Sequence, residues 1–389
     1  MRIAVVGAGV AGLATATLLA RQGHGVTLLE RQSLLPDARG GLLLQPCGLA
    51  VLARLGLLGE ALNHGSRIRK LIRQHTSGVV TLELSYEAYR PGSHGLGITR
   101  GALTRLLAES ASASGVTMQL GCRVTKLQEL PAGVMLHTEA GEYPATFALV
   151  IVADGMRSML RDHLNLPHTV QACPLGALSL TAPQPAAMAR DSVRQVFRNG
   201  PDVIGWLPSG RDADGRECVT WFQNMPVAEY ESPDRRPFGR WREQAIAVSA
   251  ESRELLEPLA GFEALQFSRY AMVAMPRWHT KRCVVMGDAA HALDPLLGMG
   301  ANMALADAAA LADEMVGVDE STVSQALVAF QSRRQPQLSR YQRAGTILSP
   351  LLHAESPLSG LWPDAAIRTA LRAPGVRQRV MAAISGELQ

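Results

Sequence analysis

Gly7-Ala-Gly9-Val-Ala-Gly12 sits between an apolar run at residues 2–6 (RIAVV) and a helical pattern that reaches Arg21. That order constrains the fold more than any other stretch of the chain. The strand must end in a turn tight enough to require Gly7. The backbone at Gly9 carries no side chain to hold a pyrophosphate away, and Gly12 lets the next helix lie close on its strand. Gly23 ends the helix, residues 26–29 form the next strand, and Glu30 follows 18 residues after Gly12. A carboxylate at that distance can accept hydrogen bonds from a ribose diol. Strand, glycine turn, helix, strand and acid in this succession read as a dinucleotide cradle on a parallel sheet. Residues 2–6 accordingly read as a buried strand and not as an export leader.

A second informative stretch is residues 283–307, CVVMGDAAHALDPLLGMGANMALAD. It reads as an apolar strand at 283–286, a Gly287-Asp288 corner, a short loop ending near Pro295, and Gly298-Met299-Gly300-Ala301-Asn302. An Ala-rich helix then runs over 301–315. The segment therefore delivers a carboxylate at a strand end and, soon after, a glycine-lined helix N-terminus. Such an end favours negative charge by roughly 0.3–1 kcal/mol, and about 2 when partly buried. A third corner follows the apolar run 147–152, where Asp154-Gly155 precedes Ser158 and Arg161.

With 389 residues the chain can form two or three domains. A net charge of +4 with no dense Lys/Arg block suits anionic small molecules and argues against a nucleic-acid partner. The five cysteines, Cys47, Cys122, Cys173, Cys218 and Cys283, are scattered and form no CxxC. That pattern disfavours disulfides, a zinc or other metal site and a dithiol relay, and it fits a cytoplasmic protein. No uncharged apolar stretch reaches about 18 residues, so no transmembrane segment is expected.

Between these motifs the pattern changes. Alternation over 68–89 and again over 174–267 suggests antiparallel strands, with a helix near 240–252. In between, Thr99 or Arg100 caps a helix over 102–112, and residues 118–127 read as another strand with a β-continuation. Arg39 lies in a flexible loop, where a cofactor contact and a solvated side chain are both open. The fold expected is α/β: a Rossmann-type dinucleotide-binding domain with an inserted, mostly antiparallel β-sheet domain, which the resemblance given below makes the substrate domain, and a helical C-terminus. The boundaries expected are 1–67, 98–168 and 277–321 for the first domain, 68–97 and 169–276 for the second. The helical region is 322–389, broken at Pro350 and Pro357.

The three motifs in this order, together with Arg100-Gly-Ala-Leu-Thr-Arg-Leu-Leu, resemble the class A flavoprotein monooxygenases. This is the family of para-hydroxybenzoate hydroxylase. The tail, Ser349-Pro-Leu-Leu and Ser356-Pro-Leu, resembles the smaller ubiquinone-biosynthesis hydroxylases. The resemblance implies FAD, with Gly7, Gly9, Ala11 and Gly12 on the pyrophosphate, Glu30 on the adenosine ribose, and Arg31 and Val124 on the adenine side. It places Arg100 and Asp288 at the ribityl and phosphate region, and Gly298, Met299, Gly300, Ala301 and Asn302 at the pyrimidine edge. Pro295 lies beside the reactive face, and Asp154 serves FAD and a transient NAD(P)H. The activity implied is hydroxylation of an aromatic or polycyclic small molecule with O2, through a flavin C4a-hydroperoxide, by a monomer or homodimer.

For a phenolic substrate a base or relay is needed, and His75, Tyr86, Tyr89, Tyr270 and His279 are the candidates. Tyr270 is carried forward with Pro295 as catalytic. Trp206, Trp221 and Phe197 fall on alternating strands and could wall an aromatic pocket or simply fill a core. His291 reads as a turn-stabilising side chain. Two rivals stay open: an FAD-dependent reductase or dehydrogenase of a prenyl or polyene lipid on the same fold, and a nucleotide-binding scaffold without turnover. A membrane-surface role for 346–363 stands against a simple packing face.

Overall fold

The structure is a computed structural model that describes residues 1–35, 40–198, 202–212, 214–232, 234–295, 298–353, 369 and 373–387. Arg39 and much of 346–363 lie outside the described residues.

A five-stranded parallel sheet carries the first and last motifs. Its order is Cys283–Val285, Leu149–Val152, Arg2–Val6, Gly25–Leu29 and Thr117–Gln119. Register decides what this sheet can do. Leu29 pairs with Val6, Val6 with Val152, and Val152 with Val285, so four strands end level with one another. Glu30, the Gly7 turn, Asp154 and Asp288 therefore emerge along one edge, the carboxyl end where open α/β sheets bind ligands. Val10–Arg21 covers one face and packs against Gly300–Glu314 and Arg100–Ala113. Small side chains allow this: Ala11, Ala14, Ala304, Ala308 and Ala312 are all buried in the shared core. Thr99 caps Arg100–Ala113, its hydroxyl accepting from the Ala102 N–H at 3.3 Å.

A seven-stranded sheet joins both alternating stretches. Its order is Gln266–Ala274, Thr169–Pro183, Glu217–Pro226, Val203–Arg211, Ser192–Phe197, Lys70–His75 and Val80–Ser85. All pairs are antiparallel except Ser192–Phe197 with Lys70–His75. Alternation gives this sheet two unlike faces. One carries Leu178, Ile204, Trp206, Val219 and Trp221, packed against Trp241 of Phe238–Val248 and against Phe262. Trp221 and Trp241 meet edge to face at 6.1 Å, a contact worth about 0.5–1.5 kcal/mol beyond its area. The other face carries Ser179, Thr181, Thr220, Phe222 and Asn224, and turns towards the strand Gly41–Leu44. There the Gly40 N–H donates to Thr181 Oγ1 at 3.1 Å.

The extents of three expected elements are corrected. Residues 118–127 are not one strand: Thr117–Gln119 ends the parallel sheet, Gly121 turns with φ +69°, and Val124–Leu130 opens a separate three-stranded sheet. Residues 147–152 likewise divide between Gly141–Phe147 and Leu149–Val152, which belong to different sheets. Pro350 does not break the C-terminal helix, which runs from Val323 to His353. A proline removes one hydrogen bond and kinks a helix, and neighbouring turns can carry the chain through.

Candidate active site

The Gly7 loop and the Asp154 corner are built against each other. Gly7 has φ +108°, and a Cβ there would lie 2.4 Å from the Ala153 carbonyl oxygen. A Cβ at Gly12 would lie 1.9 Å from the Gly7 oxygen, whereas one at Gly9 would meet nothing within 4 Å. Two of the three glycines thus allow close packing, and the third faces open space where a phosphate can approach. Glu30 braces this loop: its Oε2 accepts from the Ala8 N–H at 2.8 Å, and Oε1 accepts from the Gln32 N–H at 3.0 Å. Residues 121–124 run beside it, with the Cys122 N–H donating to the Glu30 carbonyl and the Gly121 N–H to that of Gln32. Val124 is buried and Arg31 exposed on that side.

The third corner completes the edge. Gly287, at φ +60°, sits so close to the first helix that a Cβ would be 3.0 Å from that of Ala11. Asp288 follows it, exposed, with Oδ1 3.7 Å from where a Cβ of Gly300 would stand. A carboxylate is therefore set beside the N-terminus of Gly300–Glu314, whose first N–H groups have no acceptor within the helix. Arg161, buried, links two corners by donating from Nη1 to the Ala289 carbonyl at 2.9 Å. Asp154 is half-buried, and its Oδ1 has no hydrogen-bond partner among the described residues. Burial pushes its carboxyl up, while Ser158, local backbone N–H groups and Arg161 pull the other way.

Asn302 is fully buried and bonded on both ends. Its Nδ2 donates to the carbonyls of Leu43 (3.0 Å) and Gly298 (3.1 Å), and its Oδ1 accepts from the Gln45 N–H at 2.7 Å. What it offers a ligand is backbone, as do Gly300 and Ala301 beside it. Met299 is buried behind the loop, Gly298 turns with φ +60°, and Pro295 is exposed.

Tyr270 is half-buried on the inner face of the large sheet. Burial raises its phenol, Arg100 opposes that, and Asp294 and Cys173 add to it. The other candidate bases are hydrogen-bonded within the fold. Tyr86 is buried and donates to Gln45 Oε1 at 2.6 Å. Tyr89 donates to Glu387, His75 bonds Ser77 and the Arg198 carbonyl, and His279 bonds the Thr280 carbonyl. Of the two roles open to Trp206 and Trp221, the structure gives them the core one: they pack against Trp241 of Phe238–Val248, on the face of the large sheet away from Thr181 and Thr220. Phe197 is buried too, edge-on to His75 and under the Arg73 guanidinium at 4.5 Å.

Sequence reasoning missed one group. Asp307, wholly buried on Gly300–Glu314, accepts at Oδ2 from His291 Nε2 (2.5 Å) and the Gly287 N–H (3.0 Å). At Oδ1 it accepts from Arg334 Nε (2.8 Å). Burial pushes its carboxyl up, but His291 and Arg334 outweigh that and hold it at about 2. An acid in the middle of an alanine-rich helix, with apolar residues on both sides, was the available signal.

A family model described as "FAD binding domain" matches residues 1–343. The chain belongs to this family. A 3-amino-4-hydroxybenzoate 2-monooxygenase of Streptomyces cremeus is 32% identical over 376 residues, covering 91% of this chain and 88% of that one. A 6-hydroxynicotinate 3-monooxygenase of Pseudomonas fluorescens is 26% identical over 356 residues, covering 88% and 89%. Among solved structures, a Klebsiella pneumoniae HpxO variant complexed with FAD has TM-score 0.83 at 19% identity and covers both chains fully. A 2-methyl-3-hydroxypyridine-5-carboxylic acid oxygenase has TM-score 0.79 at 23% identity, covering 99% and 96%. These structures share the fold. With its curated relatives named as monooxygenases, this chain is a flavin-dependent monooxygenase. Among the described residues no helix is long and apolar enough to cross a membrane, and all five cysteines are free.

Proposed function

We propose that this monooxygenase hydroxylates a small electron-rich aromatic or polycyclic compound, using FAD, O2 and NAD(P)H. The observation that carries the reading is the common edge. Four level strand ends bring Glu30, the Gly7–Gly12 loop, Asp154 and Asp288 together, with the Gly300 helix N-terminus beside Asp288. The residues fit FAD: there is room at Gly9, Asp154 has an unpartnered buried oxygen, and a helix end waits for negative charge. Bound there and reduced by NAD(P)H, FAD supplies the electrons that activate O2.

The chain's own residues do the rest. In this assignment Gly7, Gly9, Ala11 and Gly12 admit the pyrophosphate, Glu30 the ribose, and Arg31 and Val124 flank adenine. Arg100 and Asp288 hold the ribityl and phosphate region, and Asp154 serves FAD and the transient NAD(P)H. Pro295 and the backbone of Gly298, Met299, Gly300, Ala301 and Asn302 form the wall at the ring, where helix-end N–H groups stabilise developing negative charge. Residues 68–97 and 169–276 act as the substrate domain over 1–67, 98–168 and 277–321, with 322–389 as the helical remainder. Substrate lies against the Ser179, Phe222 and Asn224 face of the large sheet, which also keeps water out. Tyr270, whose phenol burial pushes further up, donates a hydrogen bond that orients a ring oxygen.

The test is to purify the yellow protein and follow NADH and NADPH oxidation with aminohydroxybenzoates, hydroxypyridine carboxylates and polycyclic phenols. Substrate-stimulated O2 uptake, with 18O from 18O2 in the product, is expected. Colourless protein that cannot be loaded with FAD refutes the reading. Reduction of a prenyl double bond without O2 consumption would replace it with the reductase alternative.

A further inference from the structure

The buried group around Asp307 spans both walls of the cofactor edge. On one side the Asp307 carboxylate holds the Gly287 N–H and His291, one residue before and three after Asp288. On the other, Arg334 of Val323–His353 binds that carboxylate through Nε and donates from Nη1 to Gln337 Oε1. Gln337 Nε2 then donates to the Gly386 carbonyl at 2.9 Å. Gly386 packs on Met299: a Cβ there would lie 3.6 Å from the Met299 Cε and 2.0 Å from Cys47 Sγ. Met299 is the residue before Gly300, where the helix begins. The C-terminal segment is fixed in place by the Cys47 N–H donating to the Ser385 carbonyl (3.2 Å) and by the Tyr341 hydroxyl donating to that of Ala383 (2.5 Å).

Neither Asp307 nor Arg334 needs to touch a ligand for this arrangement to matter. Gly287 turns with φ +60° and is buried, so without the Asp307 carboxylate its N–H would be an unpartnered buried donor. The loop at Met299 is held from behind by a terminal segment distant in sequence. The Asp307 carboxylate ties the Gly287 corner to the helix that begins at Gly300, and the Arg334 guanidinium extends that tie through Gln337 to Gly386, behind Met299. We propose that the Arg334–Asp307 pair is a positioning device that sets the distance between the Asp288 carboxylate and the Gly300 helix end, and thereby the fit of the cofactor. The proposal rests on the assignment of FAD to this edge.

A double-mutant cycle tests it. FAD affinity is measured by flavin fluorescence quenching at 10 °C for the wild type, Asp288→Asn, Asp307→Asn and Asp288→Asn/Asp307→Asn, with folding checked by far-UV circular dichroism. Asp307→Asn is expected to weaken FAD about tenfold and to change the visible circular dichroism of bound flavin. The double variant is expected to bind FAD no more weakly than Asp288→Asn alone, because Asp307 acts through Asp288. Arg334→Met should reproduce the spectral change and Arg334→Lys should restore part of it, which keeps the test open if Asp307→Asn does not fold. Strictly additive losses, or a flavin spectrum unchanged in folded Asp307→Asn or Arg334→Met, would overturn the positioning role while leaving the FAD assignment intact. A wild type that binds no FAD would instead remove the assignment itself.

Discussion

Two carboxylates lie beside adjacent strand-end corners of the same sheet and end in opposite states. Asp154 is half-buried, with one oxygen lacking a partner among the described residues, and burial pushes its carboxyl up. Asp307 is wholly buried, accepts from three donors, and is held at about 2 by His291 and Arg334 despite that burial. The residue type is the same and the parallel sheet is shared. The difference lies in how many donors the surrounding fold supplies. A carboxylate whose valences are filled by protein holds structure together; one left short is available to a ligand, at some expense of stability.

The comparison can be broken at several points. The strongest effect is expected at the packing that makes the Asp154 corner possible. Gly12→Val would drive a side chain into the Gly7 carbonyl and should abolish flavin binding, read as the flavin-to-protein absorbance ratio. Full flavin content in that variant would show that the close approach is dispensable.

Asp307→Asn comes next. Its folded carboxyl lies at about 2, below the ordinary 3.8, so its stabilisation is present above the ordinary value and is lost as pH falls through about 2. Urea unfolding at pH 7 should show a loss of about 2–4 kcal/mol, shrinking under strong acid. A loss independent of pH would mean that the charge is not what the site uses.

Asp288→Ala should leave the melting of FAD-free protein nearly unchanged, since the side chain is exposed, while weakening FAD about tenfold. Wild-type affinity would remove Asp288 from the assignment. The smallest effect sharpens the contrast. Asp154 has a raised folded pKa, so its penalty is absent below the unfolded value and sets in as pH rises through the folded one. FAD-free Asp154→Asn should therefore melt above the wild type at neutral pH and level with it under acid, the reverse of Asp307→Asn. A lower melting temperature at neutral pH would show that Asp154, too, is a structural acid.

Much of the strand-end edge proposed to hold FAD was legible from the chain alone. The glycine spacing, Glu30, the Asp154-Gly155 and Gly287-Asp288 corners and the strand before each of them are local signals, because a tight turn restricts residue type within a few positions. The two alternating stretches were legible as strands for the same reason, since side-chain direction repeats every two residues. Which face of a strand meets which partner is not local. Trp206 and Trp221 alternate as a ligand wall would, but the helix Phe238–Val248 covers their face, so they became core. Tyr86 and Tyr89 looked as able as Tyr270 until packing gave the first Gln45 and the second Glu387. Asp307 needed a histidine 16 residues before it and an arginine 27 after it. The sequence by itself determined where the chain turns and which corners carry acids. Only the tertiary structure decided which of those acids are filled, because the donors that fill them come from elements far apart in the chain.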